Sequence, residues 1–378
     1  MTAIPEADIR IPADLLPADG RFGSGPSKVR PEAVASLSEA ATTVLGTSHR
    51  QPAVKSLVSR LRSGLAELFS LPDGYEIVLG NGGTTAFWDV ASFCLIERRS
   101  QHLSFGEFSS KFGQVAAAAP HLEAPQVIES NPGTRPTPRP GRDIDLYAFT
   151  HNETSTGVAM TPYRPTGMGP GALVAVDATS AAGGLRFDAR EVDAYYFAPQ
   201  KCFASDGGLW LAALSPAALA RAGRIHASGR WVPASLDLSI AIDQSRLDQT
   251  YNTPAVATLV MFVAQLEWML EGGGLEFAAG RCDQSATALY DWAAKRPWAS
   301  PFVADPADRS HVVGAIDFDD SISAPTLAKV LRANGIVDTE PYRKLGRNQL
   351  RVGMYPAVDP ADVAALTACI DHIVDALG

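Results

Sequence analysis

Residues 193–211 read DAYYFAPQKCFASDGGLWL, and this stretch organises the rest of the chain. An aromatic run ends at Pro199, and Ser-Asp-Gly-Gly then leads into the apolar run Leu209 to Leu214, which predicts two strands joined by a loop. Lys201 lies on that loop, among aromatic side chains whose desolvation would favour the neutral amine. Because a neutral amine condenses with aldehydes, Lys201 is a candidate Schiff-base lysine. Taken alone, the pattern is more typical of a surface lysine at a strand end.

A second apolar run lies upstream and ends in an acid. Residues 172–180 read ALVAVDATS, which predicts a buried parallel strand with Asp177 at its carboxyl end. Ligands of open α/β sheets bind at such ends, so Asp177 and Lys201 are expected to share a crevice. A carboxylate for a pyridinium nitrogen and a lysine for an aldehyde are the pair that pyridoxal phosphate chemistry needs. Asp177 alone could instead cap a following helix.

The composition is that of an ordinary globular protein. The chain is 46% hydrophobic and 19% charged. Its length of 378 residues is enough for a large and a smaller domain. A net charge of −9 argues against nucleic acid or an anionic membrane as partner. No apolar run reaches the roughly 20 residues of a membrane span, and four scattered cysteines indicate neither a zinc site nor disulfides. We therefore expect a cytoplasmic protein that binds no metal.

The order of the predicted elements indicates an α/β fold. Helices and strands alternate up to a glycine triplet at 272–274, and a shorter series of helices and strands follows it. We predict an extended N-terminal segment (1–24), a large domain with a mostly parallel central sheet flanked by helices (25–271), and a small C-terminal α+β domain (272–378).

Polar residues near predicted strand ends are candidates for a ligand site. Two glycines followed by Thr84 and Thr85 turn a strand into a helix and suit a phosphate, although a glycine turn with a threonine N-cap is a common structural arrangement. Phe105, at the end of the next strand, could lie flat on a ring, but such a residue is more often part of a core. Thr154, after the strand at 145–150, could reach a phenolate oxygen.

Two basic groups are candidates for anion binding. His49 and Arg50 lie on a short loop between predicted helices, where they form either an anion clamp or a solvated surface pair. Residues 342–351 are the densest positive run in this acidic chain. Arg351 begins a predicted strand, where a guanidinium can be held rigid for bidentate binding of a carboxylate or phosphate.

Eight motifs together resemble the phosphoserine aminotransferases of actinobacteria, within the class-V (fold-type I) aminotransferases. They run through nearly the whole chain and read FGSGPSKVR, GTSHRQ, GNGGTTAFWD, HNETSTG, VDATS, APQKCFASDGGLW, QTYNTPA and GRNQLRVGMYPA. The resemblance implies a fold-type I transferase with pyridoxal 5'-phosphate as cofactor, Lys201 as the aldehyde-binding lysine and Asp177 as the pyridinium partner. It further implies cofactor contacts for Phe105 (ring stacking), Thr154 (ring hydroxyl), and Thr84, Thr85 and Gln200 (phosphate or ring).

The resemblance also implies substrates and a homodimer. Asn252 and Thr253 match a pair that reaches the cofactor phosphate of the neighbouring subunit. Four basic residues match positions that hold the carboxylate and phosphate of the substrates: His49, Arg50, Arg343 and Arg351. The implied reaction moves an amino group from L-glutamate to 3-phosphohydroxypyruvate, giving O-phospho-L-serine and 2-oxoglutarate. Whether 4-phosphohydroxy-L-threonine is a further substrate stays open.

Other activities compete with this interpretation. The alternatives are another class-V aminotransferase such as an alanine–glyoxylate type, a desulfurase, or a module without turnover. A desulfurase needs a mobile cysteine, and Cys202 beside Lys201 is too constrained for that role. Thr84 and Thr85 also stand where many relatives carry an arginine, so a positive charge near the substrate phosphate is missing. Arg347 is a candidate to replace it.

Overall fold

The structure, a computed structural model, describes residues 9–377, and this range forms twelve strands and ten α-helices. The strands are β1 (Glu76–Asn81), β2 (Ser100–Ser104), β3 (Gln126–Glu129), β4 (Leu146–Thr150), β5 (Asn152–Glu153), β6 (Val158–Ala159), β7 (Leu173–Asp177), β8 (Ala194–Phe197), β9 (Leu209–Leu214), β10 (Ala299–Pro301), β11 (Val313–Phe318) and β12 (Gln349–Gly353). The helices are α1 (Pro31–Glu39), α2 (Pro52–Leu68), α3 (Thr84–Cys94), α4 (Glu107–Ala118), α5 (Pro216–Ala227), α6 (Leu238–Arg246), α7 (Val256–Glu271), α8 (Gly274–Ala294), α9 (Ala324–Ala333) and α10 (Pro360–Leu377).

The main sheet has seven strands in the order β1-β9-β8-β7-β4-β2-β3. The neighbours from β8 to β3 pair in parallel, whereas β9 runs antiparallel to both β1 and β8. The predicted mostly parallel α/β sheet is therefore confirmed. β5 and β6 form a separate two-stranded hairpin, and β10-β11-β12 form a small antiparallel sheet.

Helices cover both faces of the main sheet because its strands are apolar on both sides. In β7, Val174 and Val176 belong to the hydrophobic cluster that includes α2 and α7, while Leu173 and Ala175 belong to the cluster that includes α3, α5 and α6. This alternation follows the two-residue period of a strand. Burial on both faces is the usual reason why parallel strands read as unbroken apolar runs.

The small domain has its own hydrophobic cluster, and the N-terminal segment is part of it. Ile9, Ile11 and Phe22 pack with side chains of α8, α9, α10 and the small sheet. The backbone of Phe22 donates a hydrogen bond to Val337 O (3.3 Å), and Gly353 N donates one to Phe22 O (2.7 Å). Residues 1–8 of the predicted N-terminal segment lie outside the described residues. We propose that residues 9–24 are grouped with the small domain.

Candidate functional site

The parallel register brings the predicted ligand-binding strand ends together. Asp177, the last residue of β7, pairs with Thr150 at the end of β4 and with Tyr196 in β8. After β8 the loop returns Lys201 toward this edge. The result is a cavity of about 320 Å³ whose lining includes Asp177, Lys201 and Thr150. A cavity of this size at the carboxyl ends of parallel strands is a usual site for a small ligand.

Lys201 lines this cavity, and the pKa of its amine is lowered. Lys201 Nζ donates a hydrogen bond to Ser24 O (2.7 Å), which also accepts one from the hydroxyl of Tyr355 (2.7 Å). Burial, together with the positive charge of Arg351, lowers the pKa of Lys201 to about 8. The neutral amine, which is the nucleophilic and basic form, is therefore accessible near physiological pH.

Gly25 permits this placement of Lys201. A β-carbon on Gly25 would overlap Lys201 Nζ and contact the carbon atoms next to it. The φ angle of Gly25 is +145°, a conformation that other residues rarely adopt. The second glycine of the FGSGPSKVR motif is thus required because the backbone lies so close to the lysine side chain.

Asp177 is buried and accepts three hydrogen bonds from two residues. Trp88 Nε1 donates to Asp177 Oδ2 (3.0 Å), and both the backbone N–H (3.0 Å) and the hydroxyl (2.5 Å) of Thr179 donate to Oδ1. Burial raises the pKa of Asp177, and the hydrogen bonds from Thr179 and Trp88 oppose that rise. No helix of the described chain begins here, so the alternative of a helix cap does not apply. The carboxylate is arranged to face a cation in the cavity.

Three of the predicted cofactor contacts line the cavity, and two of them belong to α3. Thr84 and Thr85, in the first turn of α3, line the cavity, and so does Gln200. The first turn of a helix has N–H groups without helical partners and a partial positive charge, which favour an anion. Gln200 Oε1 is buried without a hydrogen-bond partner in the structure. These groups suit a phosphate and a further polar group of a ligand.

The hairpin β5–β6 supplies a further polar wall. The hydroxyl of Thr154 and Nδ2 of Asn152 each donate to Ser180 Oγ at 2.8 Å, and all three residues line the cavity. Arg351, on β12, donates from Nη1 to Thr154 O (2.9 Å), and its Nε is buried without a partner. Arg351 therefore connects the small sheet to the edge of the cavity while one of its donors remains unused.

The structure does not place Phe105 against the cavity. Its side chain follows the alternation of β2 into the hydrophobic cluster between the main sheet and α2, where it is fully buried. Phe108, in the first turn of α4, lines the cavity instead. Phe108 thus replaces Phe105 as the candidate for stacking on a ring.

Four of the predicted residues form a separate group, which we call the surface cluster: His49, Arg50, Asn252 and Thr253. Thr253 Oγ1 and His49 Nδ1 are hydrogen-bonded (3.2 Å), and Arg50 Nη1 donates to Gln249 Oε1 (2.7 Å). Asn252 Oδ1 accepts from Thr253 N (2.9 Å). Arg50, Asn252 and Thr253 are exposed, and none of the four lines the cavity of the same chain.

Two of the three arginines in the positive run at 342–351, Arg343 and Arg347, differ from expectation. Arg343 is exposed in a 3₁₀-turn, Arg343–Leu345, and does not line the cavity. Arg347 forms an ion pair with Asp317 (2.5 Å), and its guanidinium lies over the ring of Phe302. Because its charge is already matched in the small domain, Arg347 does not supply the missing positive charge.

Nearly the whole chain is similar to known aminotransferases. The profile of the aminotransferase class-V family matches residues 22–366. The chain belongs to the class-V aminotransferase family. A relative named phosphoserine aminotransferase from Nocardioides sp. is 62% identical over 370 residues, covering 98% of this chain and 99% of the relative. One of the same name from Rhodococcus opacus is 60% identical over 368 residues, covering 97% and 98%.

Solved structures share this fold. The crystal structure of a phosphoserine aminotransferase from Cytophaga hutchinsonii superposes with a TM-score of 0.84 at 22% identity, covering 93% of this chain and 99% of that chain. At this identity the likeness concerns the fold, which is that of the fold-type I transferases.

Within residues 9–377 no helix is both long and apolar enough to cross a membrane.

Proposed function

We propose that this protein is a phosphoserine aminotransferase that transfers the amino group of L-glutamate to 3-phosphohydroxypyruvate, giving O-phospho-L-serine and 2-oxoglutarate. Pyridoxal 5'-phosphate is its cofactor. The observation that carries the proposal is the identity of about 60% over the full length to proteins of that name. The product places the enzyme in the formation of L-serine, and 4-phosphohydroxy-L-threonine is proposed as a further substrate to be tested.

The residues of the cavity fit this cofactor. The buried carboxylate of Asp177, which Trp88 and Thr179 hold by hydrogen bonds, is complementary to a protonated ring nitrogen. The unpartnered Gln200 Oε1 and the first turn of α3 with Thr84 and Thr85 suit the ring and the phosphate. Thr154 is proposed to contact the ring hydroxyl. Phe108 offers an aromatic face in the same cavity.

Lys201 and Asp177 are proposed to carry the chemistry. When bound, pyridoxal 5'-phosphate supplies an aldehyde that accepts amino groups and a ring that withdraws electrons. Lys201 Nζ, with its pKa of about 8, can take a proton from the substrate Cα and return it elsewhere. Asp177 holds the proton on the ring nitrogen, and Trp88 and Thr179 keep its carboxylate oriented.

Arg351 is proposed to bind the carboxylate next to the reacting carbon. Its rigid position on β12, its hydrogen bond to Thr154 O and its unpartnered Nε support this role. A guanidinium can orient a carboxylate through two parallel hydrogen bonds, which a lysine cannot do. Arg343 is proposed to bind the distal anionic group of the substrate. Because it lies in an exposed turn outside the cavity, this role requires the turn to move.

The surface cluster is proposed to act in the cavity of a second chain. Its two basic and two polar residues lie side by side, yet away from the cavity of their own chain. In a homodimer, Asn252 and Thr253 would contact the cofactor phosphate of the partner, and His49 and Arg50 would contact the distal anionic group of the substrate. His49 Nε2, which is buried and unpartnered, is a donor or acceptor available for that contact.

A cytoplasmic location is part of the proposal. All four cysteines, Cys94, Cys202, Cys282 and Cys369, are buried and unpaired, which is typical of a reducing compartment. Burial also raises the pKa of Cys202, whose thiol is directed to Ser180 O. A buried thiol of this kind is a poor nucleophile, which disfavours a desulfurase.

Steady-state kinetics with alternative amino acceptors test the proposed function. With L-glutamate as donor, kcat/KM for 3-phosphohydroxypyruvate is expected to exceed that for hydroxypyruvate, pyruvate or glyoxylate by roughly 10²-fold or more, since each charged hydrogen bond to the phosphate contributes about 1.5–3 kcal/mol. Equal or better turnover of glyoxylate would replace the proposal with the alanine–glyoxylate type.

A further inference from the structure

One cationic side chain in the cavity has no role in the site described so far. Lys111 lies one turn after Phe108 on α4, and both side chains line the cavity. This spacing of three residues puts them on the same face of the helix. Lys111 Nζ lies 5.0 Å from the centre of the Phe108 ring, so its position is held beside the ring.

The cavity has few charges, which makes this one prominent. Its lining side chains include two amines, Lys201 and Lys111, and one carboxylate, Asp177. Lys201 is engaged by Ser24 O and is assigned to proton transfer. Lys111 is therefore the cation of the cavity wall that remains available to an anion.

The surroundings of Lys111 leave its charge largely unmatched. The nearest carboxylate is Glu107 Oε1 at 3.9 Å, and the same oxygen is bound by Lys344 at 2.5 Å. Across residues 9–377 Lys111 Nζ has no hydrogen-bond partner. A lysine that faces a polar cavity with three unused donors is well suited to a phosphate, which is a strong acceptor.

The wall of the cavity that α3 forms also favours an anion. Thr84 and Thr85 begin α3, which packs against α4, and both line the cavity with Lys111. Hydroxyl groups and the positive end of α3 thus meet the ammonium group of α4 in one cavity. Neither wall holds an arginine among the lining residues.

We propose that Lys111 is a phosphate-binding residue of this cavity, which supplies the positive charge that Thr84 and Thr85 lack. The phosphate belongs either to the cofactor or to the substrate, and both have the same chemistry. The inference rests on the proposed function only if the phosphate is that of the substrate.

Two pairs of ligands, each with and without a phosphate, distinguish the phosphate of the cofactor from that of the substrate. The full-length chain freed of cofactor is titrated with pyridoxal 5'-phosphate and with pyridoxal, using tryptophan fluorescence to obtain each Kd. The holoenzyme is assayed with 3-phosphohydroxypyruvate and with hydroxypyruvate. Wild type is compared with Lys111→Gln, with Lys111→Arg, and with Lys295→Gln, which removes an equal charge from the exposed end of α8.

The expected result is a loss confined to phosphorylated ligands. Lys111→Gln should reduce the preference for the phosphorylated member of one pair by roughly tenfold or more, Lys111→Arg should restore much of it, and Lys295→Gln should change neither pair. A loss in the first pair assigns the cofactor phosphate, and a loss in the second assigns the substrate phosphate. Unchanged preference in both pairs, or an equal loss for unphosphorylated ligands, overturns the inference.

The wild-type enzyme separates this inference from the proposed function. If wild type does not prefer 3-phosphohydroxypyruvate to hydroxypyruvate, the proposed function fails. The comparison of pyridoxal 5'-phosphate with pyridoxal still decides whether Lys111 binds a phosphate.

Discussion

The cavity and the surface cluster differ in how completely one chain builds them. In the cavity, Asp177 and Lys201 are fixed by the register of parallel strands and by hydrogen bonds within the chain. In the surface cluster, Arg50 and Thr253 are exposed and His49 Nε2 lacks a partner. The first region is thus complete within one chain, whereas the second keeps polar groups without partners. Under the proposed function, we infer from this difference that the amino-transfer chemistry uses residues of one chain and that recognition of the substrate requires two.

The largest effect is expected for Lys201. Lys201→Ala removes the amine that moves the substrate proton, so turnover should fall by at least about 10⁴-fold. The visible absorption of the bound cofactor should change as well, while circular dichroism should match wild type. Lys295→Ala, an exposed lysine of the small domain, is the control and should retain full activity. Normal turnover of the Lys201 variant would rule out the assignment.

A smaller loss is expected at Asp177. Asp177→Asn keeps the shape and the hydrogen bond from Trp88 but cannot hold a proton on the ring nitrogen. We expect the rate to fall by roughly 10²–10³-fold, as on removal of one electrostatic contact to a developing charge, while cofactor remains bound. Single-turnover kinetics with L-glutamate measure this loss. Near-normal rates would mean that Asp177 only caps the turn at Thr179.

The pH dependence should reveal the lowered pKa of Lys201. Because its folded pKa is about 8, the fraction of neutral amine rises with pH below 8 and levels off above it. The rate at which the cofactor-free chain takes up pyridoxal 5'-phosphate should therefore rise about tenfold per pH unit below 8 and then reach a plateau. Stopped-flow absorbance from pH 6.5 to 10 measures it. A rate still rising at pH 10 would indicate an ordinary lysine.

The smallest effect is expected for Trp88, which acts through Asp177. Trp88→Phe removes the hydrogen bond to Asp177 Oδ2 but leaves an aromatic ring and the donors of Thr179. Loss of about 0.5–1.5 kcal/mol corresponds to a 2- to 12-fold lower kcat. A shifted pH dependence of the cofactor spectrum, with KM unchanged, would separate positioning of Asp177 from general damage. An unchanged spectrum and rate would leave Trp88 without that role.

The fold was largely predictable because its signals are local. The strand predicted at Leu209–Leu214 has those bounds in the structure, and the carboxyl end of β7 falls at Asp177 as predicted. Apolar runs bounded by proline, glycine or polar turns define such strands without tertiary information. The glycine triplet at 272–274 likewise marks the end of α7 and the start of α8.

The differences between the predicted and the observed lining of the cavity come from tertiary contacts that local patterns do not contain. Phe105 and Phe108 are three residues apart, and only the direction of the chain after β2 decides which of them reaches the cavity. Lys111 joins the site because α4 packs beside α3. Arg347 was a candidate to replace the missing positive charge, but Asp317 on the neighbouring strand β11 binds it. The i, i+3 spacing of Phe108 and Lys111 was the one sequence signal that could have identified them.

The surface cluster shows the same limit over a longer distance. His49 and Thr253 are hydrogen-bonded although 204 residues separate them in the chain. The resemblance to known aminotransferases indicated a role for each, but the sequence gives no sign that they are neighbours. Under the proposed function, their adjacency is the reason why we assign substrate recognition to two chains.

A mixed dimer tests most directly whether two chains build one site. Lys201→Ala and Arg50→Ala chains, each nearly inactive toward 3-phosphohydroxypyruvate as homodimers, are co-expressed with different tags, and the mixed dimer is purified. If Arg50 acts in the cavity of its partner, the mixed dimer has one intact site, with Lys201 from one chain and Arg50 from the other. We expect about half of the wild-type kcat with a wild-type KM. A mixed dimer no more active than the Arg50→Ala homodimer would show that Arg50 serves its own chain, and would contradict the account.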